Sequence, residues 1–238
     1  MGTILLAGGA EFGGEMAAPD RLALDLAGGL SARVSIIPAA AAPDDNHRRA
    51  GENGVRWFRS LGATAVVALP LIDRVSAEDP GVVRDLHQST FIYILGGFPR
   101  YLEQTLTGSA GWAAIIEAYR NGAVVAGASA GAMVLCSLYF DPDSGKVLQG
   151  LGLVPNTCFL PHNDAFGHKW VPRLVTLLPT TVTLIGVDEE TAILSGTASG
   201  KWEVSGKGGA TIYHASTTER YKDGEVFSLS GQRGSIRL

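Results

Sequence analysis

Short apolar runs of four to six residues recur along the chain, and helical spacing separates them. Thr3–Ala7, Arg33–Pro38, Thr64–Leu69, Thr90–Leu95 and Ala123–Ala126 are nearly unbroken rather than alternating. A strand that is apolar at every position is buried on both faces, which predicts a parallel sheet covered by helices. The intervening patterns predict those helices. One has Pro19 near its start, with Leu22, Leu24, Leu26 and Leu30 expected on or near the inner face. The next is capped by Asp45 or Asn46 and runs to about Leu61, with Arg48, Arg49, Glu52 and Arg56 as a solvated face. Others are expected over Ser76–Gln88, Tyr101–Leu106 and Gly111–Asn121.

After Leu135 the pattern changes. Phe140–Gly145 reads as a turn, Leu151–Leu160 as a further apolar segment, Lys169–Leu178 as a helix and Thr181–Val187 as a strand. Thr191–Leu194, Lys201–Ser205, Ala210–Tyr213 and Val226–Leu229 are short strands between glycine turns, with Ser205–Gly209 fitting a hairpin. The fold class expected is α/β: a three-layer sandwich on a mostly parallel central sheet, with antiparallel hairpins toward the C-terminus. Neither a repeat nor a linker divides residues 1–238, so one domain is expected.

Composition narrows the function classes. Only 18 % of residues are charged and 46 % are hydrophobic, as in a globular chain that buries a sizeable core. The formal net charge is −4 and there is no Lys/Arg run, so nucleic acid is not an expected partner. The start, Met1–Ala7, lacks a basic segment, and no apolar run has membrane-spanning length; a cytoplasmic protein without membrane association is expected. Cys136 and Cys158 have no metal spacing and read as small buried hydrophobes, with Cys136 still on the helix that follows Ser129. Gly8-Gly9 and Gly13-Gly14 follow the first strand, but the spacing is not that of a dinucleotide or phosphate loop. They fit a close-approach loop at the edge of the sheet.

The chemistry centres on Gly127-Ala128-Ser129-Ala130-Gly131, a G-x-S-x-G sequence between a strand and a helix. In such an elbow the serine is held in a strained backbone conformation, so its neighbours must be small. Its hydroxyl then stands beside the first N–H groups of the helix, where an oxyanion would develop. Serine needs a base to take its proton. Among five histidines, His162 is favoured because Pro161-His162 ends an apolar run, and His168 is second.

Several further segments occur in a telling order: Leu95-Gly96-Gly97, the elbow, Gly150–Pro155, Pro161-His162 and Gly186–Ala192. Together they resemble the S51 serine peptidases, the group of dipeptidase E and cyanophycinase, from the first strand to Ala192. The resemblance implies a class I glutamine amidotransferase-like fold with serine in place of cysteine. It implies Ser129 as nucleophile, His162 as base, and the N–H groups of Gly97 and Ala130 as oxyanion donors. The acid is expected at Asp141, with Asp143 and Glu189 as alternatives. Phe98, Arg100, Asp164, His168 and Glu189 are the candidates for substrate contact. A small peptide is the implied substrate, with Asp-containing dipeptides or isoaspartyl-type bonds as family precedents and exopeptidase action expected. No cofactor or metal is called for, and a homodimer is compatible with the sequence. One departure stands out: where these enzymes carry a polar pair after the Gly-Gly turn, this chain has Phe98-Pro99-Arg100. Two other classes stay open at this point. One is an α/β-hydrolase-type esterase using His214 as base, and the other is a non-catalytic amidotransferase-like binding protein.

Overall fold

Thr3–Ala7 and its four apolar counterparts do form adjacent parallel strands. The computed structural model describes residues 1–196, 200–214 and 217–229. In chain order the elements are β1 (Ile4–Ala7), α1 (Ala17–Leu26), β2 (Arg33–Ile37), α2 (His47–Ser60), β3 (Ala65–Ala68), α3 (Pro80–His87), β4 (Phe91–Ile94), α4 (Pro99–Leu106), α5 (Ala110–Arg120), β5 (Val124–Ala128) and α6 (Ala130–Leu135). There follow β6 (Cys136–Asp141), β7 (Lys146–Gln149), β8 (Val154–Leu160), α7 (Val171–Leu177), β9 (Thr183–Val187), β10 (Thr191–Ser195), β11 (Lys201–Gly206), β12 (Gly209–Tyr213), β13 (Thr218–Lys222) and β14 (Val226–Ser228).

The central sheet has the order β14-β11-β10-β1-β5-β4-β2-β3. β1 to β5 run parallel, and β10, β11 and β14 extend the sheet antiparallel. Alternate residues feed two cores. Ile4, Leu6, Ile92, Ile94 and Val125 face α3 to α6, whereas Leu5, Ala7, Phe91, Tyr93, Val124 and Ala126 face α1 and α2. This is the double burial that the unbroken apolar runs predicted.

A second sheet, β13-β12-β9-β8-β6-β7, packs against the first core with Tyr139, Phe159 and Ile185. Its other face carries Phe140, Cys158, Leu160 and Leu184 against α7. The sequence reading missed β6, β7 and β13. The chain passes from α6 into β6 with no intervening loop, so Cys136 opens a strand rather than lying on the helix. The Ser205–Gly209 turn does not close a hairpin. β11 pairs with β10 and β14, while β12 crosses to the second sheet and pairs with β9 and β13. In α1 the buried positions are Pro19, Asp20, Ala23 and Leu24; Leu22, Leu26 and Leu30 face outward. A helix buries positions spaced by three or four, and Asp20 with Ala23 and Leu24 fixes that stripe.

Register brings the functional segments to one edge. Ala7 pairs with Ala128, Ile94 with Gly127, and Ala7 also with Ala192. The loops after β1, β4 and β5 and the residues before β10 therefore emerge together, at the carboxyl ends of the parallel strands where α/β sheets bind ligands. In the second sheet Leu160 pairs with Gly186, so the ends of β8 and β9 arrive side by side.

Candidate active site

Ser129 sits between β5 and α6 with φ 47° and ψ −114°, a backbone state that costs about 1–3 kcal/mol and persists only where the surroundings enforce it. They do so here by close packing. A β-carbon on Gly127 would lie 2.6 Å from the Gly131–Ala132 backbone, and one on Gly131 would lie 2.3 Å from the Ile94 carbonyl oxygen. The Ser129 N–H donates to the Ala7 carbonyl at 3.0 Å and ties the elbow to β1.

His162 follows β8, also at positive φ, 51°. Its N–H donates to the Gly8 carbonyl at 2.7 Å, and its own carbonyl accepts from Ala165, Phe166 and Gly167 in a tight turn. Nε2 of the ring lies 3.0 Å from Ser129 Oγ, and Nδ1 lies 2.7 Å from Glu189 Oε1. A carboxylate only accepts, so Nδ1 carries the proton and Nε2 is free to accept from the serine hydroxyl. The Phe166 ring stacks on the imidazole at 4.7 Å between centroids. Gly8 and Gly9 are the close-approach residues expected from the sequence. A β-carbon on Gly9 would sit 2.2 Å from His162 Cε1, and one on Gly8 would sit 2.0 Å from the Asp188 carbonyl oxygen.

The expected acid does not occupy its place. Asp141, at the end of β6, is buried, and its Oδ2 accepts from the Ser144 hydroxyl at 2.5 Å and the Ser144 N–H at 3.3 Å. Nδ1 of His162 is taken by Glu189 instead. Asp143 lies in the exposed turn after β6. Glu189 reaches the imidazole because β8 and β9 are parallel neighbours, so residues just past their ends meet although 27 positions separate them. A buried polar network fixes that meeting. Asn163 donates to Asp188 at 3.2 Å and accepts from the Tyr213 hydroxyl at 2.7 Å. Asp188 also accepts from the Gly209 N–H at 2.9 Å and pairs with Arg220. Asp164, one of the expected substrate contacts, is exposed and accepts from the Glu189 N–H at 2.8 Å.

Ala130 is the first residue of α6, where a helix N–H has no partner four residues back. Gly97 follows β4 at φ 138°, and a β-carbon there would meet the Ala40 carbonyl oxygen at 2.2 Å. The glycine is required both by its conformation and by that approach. Gly96 and Gly97 floor a cleft of about 830 Å³ whose other walls are Glu11, Phe12 and the exposed side of α2, Arg49 and Arg56 among them. Phe98 is exposed beside it and precedes α4, whereas Arg100 lies outside the cleft, near enough to Tyr139 for its charge to act on that phenol. His168 is exposed and its Nδ1 lies 3.0 Å from the Asn163 carbonyl oxygen. His214 pairs with Glu219 at 3.2 Å and lines a different cavity, between residues of the two sheets, that neither Ser129 nor His162 lines. Among the described residues, no group of three or more His, Cys, Asp and Glu side chains is arranged to hold a metal ion, and no helix is long and apolar enough to cross a membrane.

The profile of peptidase family S51 matches residues 4–199. The chain belongs to that family. Of the solved structures similar to this S51 chain, one is a peptidase from an acI-B1 Actinobacterium. It shares 27 % identity over 96 % of this chain and 97 % of its own, with a TM-score of 0.86. Another, a protein from Listeria monocytogenes EGD-e assigned as a peptidase E, shares 19 % identity over 87 % of this chain and 99 % of its own, with a TM-score of 0.63. The second likeness is one of fold.

Two residues of the site escaped the sequence reading. Phe166 gave no signal, because its stacking depends on the turn after His162. Glu11 lies inside a glycine-rich loop whose spacing speaks only for its backbone.

Proposed function

We propose that this S51 chain is a serine exopeptidase acting on small peptides, with Ser129 as nucleophile and His162 as base. The observation that carries this reading is the line Ser129 Oγ, His162, Glu189, with hydrogen-bond distances of 3.0 and 2.7 Å. Ser129 attacks the peptide carbonyl while His162 Nε2 takes its proton. The Glu189 carboxylate holds the ring in the Nδ1–H tautomer and stabilises the imidazolium that forms. The N–H groups of Gly97 and Ala130 receive the negative charge on the carbonyl oxygen. His162 then returns the proton to the leaving amine, and water, activated by the same ring, hydrolyses the acyl-enzyme. The cleft beside Gly96-Gly97 has the volume of sites that hold ligands of a few residues.

A fluorophosphonate probe and a panel of short peptides test the reading. Wild type is labelled and hydrolyses members of the panel, and Ser129→Ala is neither labelled nor active. Hydrolysis that survives His162→Ala but is lost in His214→Ala would refute the assignment of the base.

A further inference from the structure

We propose that Glu11 binds the free α-ammonium of the peptide's amino-terminal residue, so that the bond cleaved is the first one of the chain. The proposal rests on the peptidase reading above and names the end of the substrate that the cleft grips.

Three observations carry it. First, Glu11 lies beside the nucleophile. A β-carbon built on Gly96 would be 3.2 Å from Glu11 Oε1 and 3.1 Å from Ser129 Cβ, so the carboxylate oxygen is at most about 6 Å from the serine β-carbon. Second, Glu11 has no hydrogen-bond or ion-pair partner among the described residues, although Arg49 and Arg56 line the same cleft. Its negative charge makes both Asp20 and Tyr93 harder to ionise. Third, its place is fixed by its neighbours. Ala10 and Phe12 both have positive φ, 55° and 66°. The Phe12 ring is held among Phe58 and Tyr93, at 6.1 and 5.4 Å, with Gly54 of α2 leaving room for it. Glu11 is thereby presented at the cleft by a loop anchored through the next side chain.

The short span selects the α-ammonium over a basic side chain. The α-nitrogen is two bonds from the carbonyl carbon, about 2.5 Å, and a charge-assisted hydrogen bond adds about 2.8 Å. With the reacting oxygen and carbon about 3 Å apart, one residue bridges Ser129 and Glu11. A lysine or arginine side chain on that residue would carry its charge several bonds too far. An unpartnered carboxylate at this distance also discriminates against a blocked amino terminus, which leaves its charge unmatched.

The test compares Xaa-Ala dipeptides and tripeptides with their N-acetylated forms. In wild type, kcat/KM favours the free amine by at least about tenfold, and Glu11→Gln brings that ratio close to one, as expected for loss of one charged hydrogen bond. Glu11→Asp, which keeps the charge one carbon shorter, restores part of the preference and separates lost charge from lost fold. For the free-amine peptides kcat/KM falls as pH rises through the α-ammonium pKa, about 7.7–8.0, and for the acetylated ones it does not. Calorimetry on Ser129→Ala with and without Glu11→Gln reads the same preference as binding, independent of any chemistry. Equal handling of free and acetylated peptides by wild type, or a preference unchanged in Glu11→Gln, overturns the proposal. Absence of phosphonate labelling overturns the peptidase reading instead, while the binding comparison still decides Glu11.

Discussion

Replacing Asp20 by asparagine should stabilise this protein at alkaline pH and leave it nearly unchanged at acid pH. Asp20 lies on the inner face of α1 with no exposed surface. Its Oδ2 accepts from the Trp57 indole N–H at 2.7 Å, and its Oδ1 is buried without a partner among the described residues. Burial raises its pKa from the ordinary 3.8 to about 7, with the Trp57 hydrogen bond working against the rise and the Glu11 charge adding to it. The sign follows from proton counts. Between pH 3.8 and about 7 the folded protein keeps a proton that the unfolded chain has released. Stability then falls as pH rises, by about 1.4 kcal/mol per unit and by about 4 kcal/mol across the window, and is level above it. Asparagine still accepts from Trp57 and does not titrate. The variant should therefore match wild type within about 1 kcal/mol near pH 4 and exceed it by about 4 kcal/mol at pH 8. Urea denaturation followed by tryptophan fluorescence, at pH values from 4 to 8, measures the difference directly. A difference between the two proteins that stays constant across that range would refute the argument. Trp57 also walls the cleft, so the same titration bears on how firmly α2 is held beside the substrate.

The remaining predictions concern the site. Glu189→Gln should lower kcat by about 10⁴-fold, the loss seen when the acid of a serine–histidine triad is made neutral, while Asp141→Asn leaves kcat within about twofold of wild type. Steady-state kinetics on one good peptide separates the two, and a larger loss in Asp141→Asn than in Glu189→Gln would return the acid to Asp141. Gly9→Ala should cost about 100-fold in kcat, because its β-carbon displaces the His162 ring; a variant with wild-type turnover would show that the ring has room to move.

The parts of the site that were legible in the sequence are those defined by local backbone demands. Ser129 was findable because an elbow needs glycine at positions 127 and 131, and both glycines prove to be sites where a β-carbon would clash with backbone. Gly8 and Gly9 were findable as close-approach residues, Gly8 against the Asp188 backbone and Gly9 against the His162 ring. Unbroken apolar runs identified the parallel strands because burial on both faces leaves no polar alternation. Partner choice was not legible. β11 and β12 read as strands from their own residues, but nothing in the short turn between them states that the chain leaves one sheet for the other. Nor does a run such as Cys136–Asp141, emerging directly from a helix, announce where its hydrogen bonds go.

The acid shows this limit most sharply. Which carboxylate the fold carries to Nδ1 of His162 follows from the register of β8 against β9 rather than from chain order. Asp141 falls between serine and histidine in sequence, as expected, yet its carboxylate is spent on Ser144. Glu189 lies after both and is brought in by the Val187-Asp188-Glu189 turn, whose Asp188 is locked to Asn163, Gly209 and Arg220. The buried aspartate positions the chain and the adjacent glutamate is left free to face the imidazole. An acidic pair directly after an apolar strand, ending at the same edge as a Pro-His, is therefore the better signal. It combines one carboxylate for the fold with one for the chemistry.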